Sequence, residues 1–265
     1  YDNPVGIFLD NSRGKVRIIN NSVNLFGNTM NQDDAMSCGI FIGEYSDSVI
    51  ILNNAVKNNL GAITGGNGET ATGVYFSGSY DSMIILNYNN YWVNSLNTFS
   101  NNIAIFYDFN NIHYFENLRE WNSFSGKDLN SFNGDPEYLS NGFLLPDTTN
   151  SKCWNLFGKG MPLSCLAEDI RGLPRSTTVA SGSICIGAYE FTTTATPPIA
   201  AALGSPVAGD TTFYAQSGRI MLNILWGESG KENNNTIKKE IENTQNTENK
   251  PHSGALSWKT VMNPK

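Results

Sequence analysis

"GIFLDNSRGKVRIINNSV" runs from Gly6 to Val23, "GIFIGEYSDSVIILNNAV" from Gly39 to Val56, and "GVYFSGSYDSMIILNYNN" from Gly73 to Asn90. Aligning Gly6, Gly39 and Gly73 with Asn102 gives spacings of 33, 34 and 29 residues, and ten positions further on sit Val16, Val49, Met83 and Ile112. Self-similarity at this period marks a repeat architecture, in which one unit cannot bury its apolar face alone and the neighbouring units complete the core.

The apolar segments within each unit are short and β-branched, with Gly, Asn, Ser and Asp between them, which suits strands of four or five residues and tight turns. Helical repeats need ten or more residues at a 3.6-residue period, and none is present. The expected fold is therefore all-β, a parallel β-helix (solenoid). Alternation points Ile7, Leu9, Ile40, Ile42, Val74 and Phe76 inward and Phe8, Phe41 and Tyr75 outward. Val16 and Ile18 are expected inside, with Val49, Ile51, Met83 and Ile85 layered above them. Asn20, Asn53 and Asn87 follow in register, where identical side chains one coil apart can bond to each other and to turn backbone. The rest of each unit, "LFGNTMNQDDAMSC" (25–38) and "LGAITGGNGETAT" (60–72), reads as loops entering the next strand from one side, the face that often binds in such proteins.

Composition narrows the function classes. A net charge of −7 with a pI near 4.8 speaks against nucleic acid, whose affinity rests on clustered Lys and Arg. No run of 18 or more apolar residues offers a membrane span. The opening "YDNPVGIFLD" has the character of a domain interior and shows no signal peptide, so an upstream segment is expected. Cys38, Cys153, Cys165 and Cys185 form no CxxC pair and have no His cluster beside them, which argues against zinc. A disulfide among the last three is open if the compartment oxidises, and ordinary buried thiols are the alternative.

Phe115, Leu118 and Trp121, three apart, predict a short amphipathic helix or turn over the end of the repeats. Beyond them come Asp135, Pro136, Tyr138 and Leu139; then Ser151, Cys153 and Gly158; then Asp169, Gly172 and Arg175; then "IGAYEF" at Ile186–Phe191. This series resembles the closing region of bacterial secreted right-handed parallel β-helix proteins of the pectate-lyase-like superfamily, the choice-of-anchor Q group. Their short Trp-containing helix, "DP.FL"-like step, "SPCINAG"-like turn, "DxxGxxR" and "IGAYEF" occur in the same order. With the repeats, the likeness covers residues 1–191. One departure is that Trp154 and Phe157 stand where the turn usually carries small residues. The resemblance implies fold and a secreted or cell-surface location more directly than activity, since one fold hosts many functions. Asp169 and Arg175 are expected to pair across the turn, with Glu190 closing the last strand.

Residues 192–209 form a Thr/Pro/Ala linker. Residues 210–230 alternate as a partial β-hairpin around Ser217 and Gly218, resembling the start of a truncated β-sandwich-like module. Residues 231–265 are polar, Asn-rich and expected to be disordered.

The pectate-lyase-like superfamily includes lyases and hydrolases, which sets what to look for. An inverting hydrolase needs paired carboxylates with room for water. Asp33 and Asp34 offer an acidic pair beside a strand, but the "GHG" and "RIK" companions are missing, and the only histidines are His113 and His252. A lyase needs calcium-binding acids and a basic residue; Asp33, Asp34, Glu44, Asp47 and Asp81 are acidic, yet no Arg or Lys stands among them. Calcium held by loop oxygens is open as a cofactor. No complete catalytic constellation emerges.

A non-catalytic site is the better candidate: the outward row Phe8, Phe41 and Tyr75, extended by Tyr45 and Tyr80, with Asp33, Asp34 and Glu44 at its edge. Sugars stack on aromatic rings, and rings one coil apart form a track. The competing reading has the long loops folding over these rings as a second core. The expected function is binding of an extended polymer, a polysaccharide or other glycan, by a monomer along its side face. The alternatives are a lyase or hydrolase whose catalytic coils lie outside these residues, and a structural adhesin or stalk.

Overall fold

Three strands, not two, make up each copy of the repeat. β1 (Val5–Leu9), β2 (Val16–Ile19) and β3 (Ser22–Met30) form the first. β4 (Met36–Ile42), β5 (Val49–Leu52) and β6 (Ala55–Ala62) form the second, and β7 (Thr70–Ser77), β8 (Ile85–Asn87) and β9 (Asn90–Val93) the third. The computed structural model describes residues 3–30, 34–46, 48–63, 68–78, 84–178 and 182–198. All of these belong to the first of the two units into which the chain divides, Tyr1–Ala201. The expected hairpin at 210–230, the tail at 231–265 and the linker after 198 lie outside the described residues.

Each of the first six strands pairs in parallel with the strand three places on, giving sheets ordered β1-β4-β7, β2-β5-β8 and β3-β6-β9. β10 (Ser100–Tyr107) adds to the first sheet in parallel, and β11 (Ile112–Phe115) then turns back antiparallel against β10. The molecule is thus β-rich with parallel sheets, an arrangement compatible with a β-helix-like fold.

The third strand was hidden by polar residues that face inward. Residues read as loops after the first two copies carry much of β3, the end of β6 and the starts of β4 and β7. Asn58 on β6 is fully buried, which alternation of apolar residues never signals. It is paid for by hydrogen bonds: its Nδ2 donates to the carbonyls of Ser37 at 3.1 Å and Thr72 at 2.9 Å, and its Oδ1 accepts from Ser37 Oγ at 3.2 Å. A buried amide is tolerated on those terms.

In the first sheet Ile7 pairs with Ile40, Ile40 with Val74 and Val74 with Ala104. That register sets Ile103, not Asn102, opposite Gly73. Ile40, Ile42, Val74 and Phe76 are buried in the main core, with Ile7 and Leu9 packed against it. The recurrent glycine has a steric cause: a Cβ on Gly39 would lie 2.2 Å from Val56 Cγ1 and 2.6 Å from the Gly73 carbonyl oxygen. Gly6 meets Val23 and Gly39 in the same way. Only a residue without a side chain lets the first and third sheets come this close.

Two expected registers shift by one. Val16 pairs with Val49, but Ile50 pairs with Ile85, so Ile84 and Leu86 are the buried residues of β8 while Ile85 is 51% exposed. Met83 lies outside the described residues. Ile112, expected to continue that layer, sits on the antiparallel β11, 48% exposed. The asparagine ladder runs through Asn21, Asn54 and Asn89 instead of Asn20, Asn53 and Asn87. Asn21 Nδ2 donates to Asn54 Oδ1 at 3.0 Å, and Asn54 Nδ2 to Asn89 Oδ1 at 3.0 Å. Asn20, Asn53 and Tyr88 instead take left-handed φ values of 54°, 56° and 55°, which turn the chain between the second and third sheets.

The last coil is closed by α1 (Leu118–Ser125), capped by Asn117 Oδ1 accepting the Glu120 N–H at 3.0 Å and ended by Gly126 at φ 66°. Trp121 is buried and stacks on Phe76, centroids 5.8 Å apart. The chain then runs through β12 (Tyr138–Ser140), β13 (Phe143–Pro146) and a 3-10 turn at Ser151–Asn155. Its hydrogen bonds reach Ser22, Asn24, Asn53, Ala55 and Asn90, on the third sheet and the corner before it.

In this closing region Asp169 does not pair with Arg175. Its oxygens accept the N–H groups of Arg171, Leu173 and Glu190 and lie 3.3 Å from the Arg171 guanidinium. Burial opposes ionisation there, but those bonds hold the carboxyl below its usual range. Arg175, itself buried, donates to the carbonyls of Cys185 and Gly187 and lies 3.2 Å from Glu190. The tight turn closed by the Gly172 N–H on the Asp169 carbonyl at 3.0 Å holds Arg171, two residues away, beside Asp169. All four cysteines are free, Cys38, Cys153 and Cys185 buried and Cys165 exposed, so no disulfide forms. Burial pushes the Cys185 thiol up to about 12, far from the reactive thiolate.

Candidate functional site

Parallel in-register pairing fixes the spacing of any side chain that recurs at one position of the repeat. Phe8 pairs with Phe41, and Phe41 with Tyr75. Their rings stand 5.0 Å apart in both steps, with planes within 9° and 5° of parallel. This is the strand-to-strand distance imposed on side chains. Phe8 is 63% exposed, and Phe41 and Tyr75 are half-buried, each covered in part by its neighbours.

The row continues in a way the repeat does not announce. Ile105 lies opposite Tyr75 and Tyr114 opposite Ile105, so a buried isoleucine separates the three rings from a fourth, exposed one. Burial raises the Tyr75 hydroxyl above its usual pKa, with Tyr114, Cys38 and Tyr107 close enough to add to the rise. Tyr114 escaped the sequence reading because it belongs to the antiparallel return, where the repeat's numbering no longer applies. Beside it, Asp108 accepts from His113 at 3.0 Å across the β10–β11 turn. That bond, followed by the N–H groups of Asn111 and Asn110, holds the exposed Asp108 carboxyl below its usual range.

The other expected members divide. Glu44 and Tyr45 follow β4 directly, two and three residues past Ile42, with Tyr45 67% exposed at a left-handed φ of 57°. They lie past the C-terminal end of β4, the middle strand of the row. Asp34 stands before the start of β4, seven residues from Phe41, roughly 20 Å away at strand rise. It is exposed and packs toward Gly68, so it does not join the rings. Asp33 and Tyr80 lie outside the described residues. Among the described residues, no group of three or more His, Cys, Asp or Glu gathers to hold a metal ion.

The geometry alters what the row can do. Both faces of Phe41 are turned toward neighbouring rings, so the row offers solvent its outer edges and a free face only at Phe8. Ring edges carry the positive part of the aromatic quadrupole and suit oxygen acceptors better than the apolar face of a sugar. The closing segment, which covers the third sheet, makes no hydrogen bond to the outer side of β1, β4 or β7 among the described residues. Comparison with protein families, curated proteins and solved structures finds no match to this chain.

Proposed function

We propose that the chain is a right-handed parallel β-helix module of the pectate-lyase-like, choice-of-anchor kind. In this reading it is secreted or displayed at a cell surface, acts as a monomer, and binds an extended polysaccharide along the flank of β1, β4 and β7. The observation that carries the reading is the row Phe8, Phe41 and Tyr75, spaced 5.0 Å apart on one sheet face, with Tyr45 exposed past the end of β4. A rigid row of identical spacing suits a ligand that itself repeats, and preorganised aromatic residues bind with little loss of conformational freedom. The oxygen-rich edge of a polysaccharide meets the ring edges and the hydroxyls of Tyr45 and Tyr75. A net charge of −7 favours neutral over uronate-rich chains.

A structural role is the second reading, supported by the same stack: rings that spend their faces on each other also stabilise neighbouring strands. Retention on affinity gels of neutral and uronate-containing glycans separates the two. The proposal expects retardation on a neutral glycan that Tyr45→Ala and Tyr75→Phe weaken without loss of the folded circular dichroism spectrum. A parent protein retained by no glycan leaves only the structural role, and product release, with or without calcium, would instead reveal a lyase or hydrolase.

A further inference from the structure

The two ends of the strand stack differ in kind. At the far end the antiparallel β11 and α1 close the first sheet and the core, with Trp121 over Phe76. At the near end β1, β2 and β3 are the edge strands of all three sheets. Ile7, Leu9, Val16 and Leu25 are only partly buried there, while Ile40, Ile42 and Val49 one copy further are fully buried.

The asparagine ladder gives this edge a polarity. Asn54 Oδ1 accepts two N–H groups from the copy before it, the backbone and side-chain amides of Asn21, both at 3.0 Å. Asn89 Oδ1 accepts the same pair from Asn54. Asn21 has spent its donors, its Nδ2 reaching Ile19 O at 3.2 Å as well as Asn54, but among the described residues no donor reaches its own Oδ1. The edge therefore presents an acceptor where each later copy has that acceptor filled.

We infer that the β1–β2–β3 edge is a docking surface for one more strand-turn-strand copy, in parallel register, with an Asn donating its backbone and side-chain N–H groups to Asn21 Oδ1. The occupant is polypeptide of the repeat's own kind, one further copy in the register the first three share. A second copy of the chain fits poorly. Its far end is closed, and its near end would set acceptor against acceptor at Asn21, with its strands running antiparallel. The interface proposed continues the one already seen between successive copies, including the ring contact that leaves one face of Phe8 free.

Fusing a duplicate of residues 34–66 ahead of Tyr1 in the 265-residue chain tests this, with a second fusion built from residues 3–35 to guard against an unsuitable donor sequence. Both are expected to raise the thermal midpoint and to slow amide exchange of β1 and β2 about tenfold or more. Asn54→Ala within the duplicate of 34–66, or Asn21→Ala within that of 3–35, is expected to remove most of the gain. Unchanged exchange in β1 and β2 with both fusions overturns the inference. So does light scattering that finds the unextended chain dimeric with these amides already protected, which would give the edge to a second copy.

Discussion

Asn54 reaches Asn89 twice, its backbone N–H and its side-chain Nδ2 both donating to Asn89 Oδ1 at 3.0 Å. The same Nδ2 also donates to the Ile18 carbonyl at 2.8 Å, so one side chain ties three successive turns of chain. Asn54→Ala strands the Ile18 carbonyl and the backbone N–H of Asn21, whose Nδ2 keeps only Ile19 O, and orphaned buried groups cost about 1–3 kcal/mol each. The expected loss is about 3 kcal/mol by urea unfolding. Asn20, the adjacent residue, makes no side-chain hydrogen bond and holds φ 54°, so Asn20→Gly is expected within about 1 kcal/mol of the parent, on either side. Equal losses at the two positions would refute this division of roles.

Gly39→Ala is expected to be among the most damaging small substitutions. The new methyl would meet the backbone oxygen of Gly73 at 2.6 Å as well as Val56, and backbone in the middle of two sheets does not step aside. A loss of about 3 kcal/mol or more is expected from overpacking. Gly142→Ala, where a Cβ meets nothing within 4 Å and φ is not left-handed, is expected to be neutral within about 0.5 kcal/mol. Thermal melts of the pair decide it, and a tolerated Gly39→Ala would mean the sheets can part.

What the sequence disclosed and concealed follows from the same residues. The first sheet was legible because Ile40, Phe41 and Ile42 keep strict alternation and their counterparts repeat at one spacing. The second sheet was legible in kind but not in register. The step from Gly39 to Gly73 is 34 residues, whereas that from Asn54 to Asn89 is 35, and the extra residue falls between the two strands. "INNS", "LNNA" and "NYNN" each hold more than one asparagine, so spacing alone could not choose the ladder. The third sheet was concealed because Asn58 of β6 is a buried polar residue, satisfied by Ser37 and Thr72 of the first sheet and by the Leu60 N–H. Of the candidate site, the three rings were legible from alternation; the intervening Ile105 and the exposed Tyr114 were not, since they depend on a chain reversal the repeat does not encode.

Asp135 links the closing region to the repeats, bonded to Lys57 at 2.7 Å and Lys152 at 3.1 Å. Burial opposes its ionisation, but the Lys57 bond, the Glu137 N–H and Lys152 outweigh it and hold the carboxyl at about 2, against 3.8 for a free one. A lowered folded pKa gives stability that is present above the unfolded value and is lost as pH falls through the folded one. The gap corresponds to about 2 kcal/mol. Asp135→Asn is therefore expected to lose about 2 kcal/mol at pH 7 and to lack the decline the parent shows between about pH 4 and pH 2. Urea midpoints across that window check it, and parallel profiles for the two proteins would place the acid sensitivity elsewhere.

Asp128 ends the asparagine ladder and has the opposite acid response. It is fully buried, and burial raises its pKa although Ser131, Trp121, Asn89 and Tyr91 all donate to it. One oxygen takes Asn89 Nδ2 at 3.1 Å and Ser131 Oγ at 2.5 Å; the other takes Trp121 Nε1 at 2.9 Å and Tyr91 OH at 3.3 Å. A raised folded pKa means that Asp128 contributes most below its unfolded value and that this contribution falls as pH climbs through the folded one. Acidification from neutral thus relieves a buried charge here while it weakens Asp135. Asp128→Asn removes that charge but puts an NH2 group against either Asn89 or the Trp121 indole, neither of which can accept. Ser131 and Tyr91 can rotate to accept; the other two cannot. One opposed pair of donors in a buried site predicts a net loss of about 1–3 kcal/mol at pH 7. Because the parent alone gains from protonating this group, its margin over the variant is expected to widen as pH is lowered from 7 toward 4. The measurement is the difference in unfolding free energy between the two proteins across that range, with tryptophan fluorescence reporting the loosening of Trp121. A margin that narrows instead would mean the ladder ends on a carboxylate stabilised by its four donors more than it is penalised by burial.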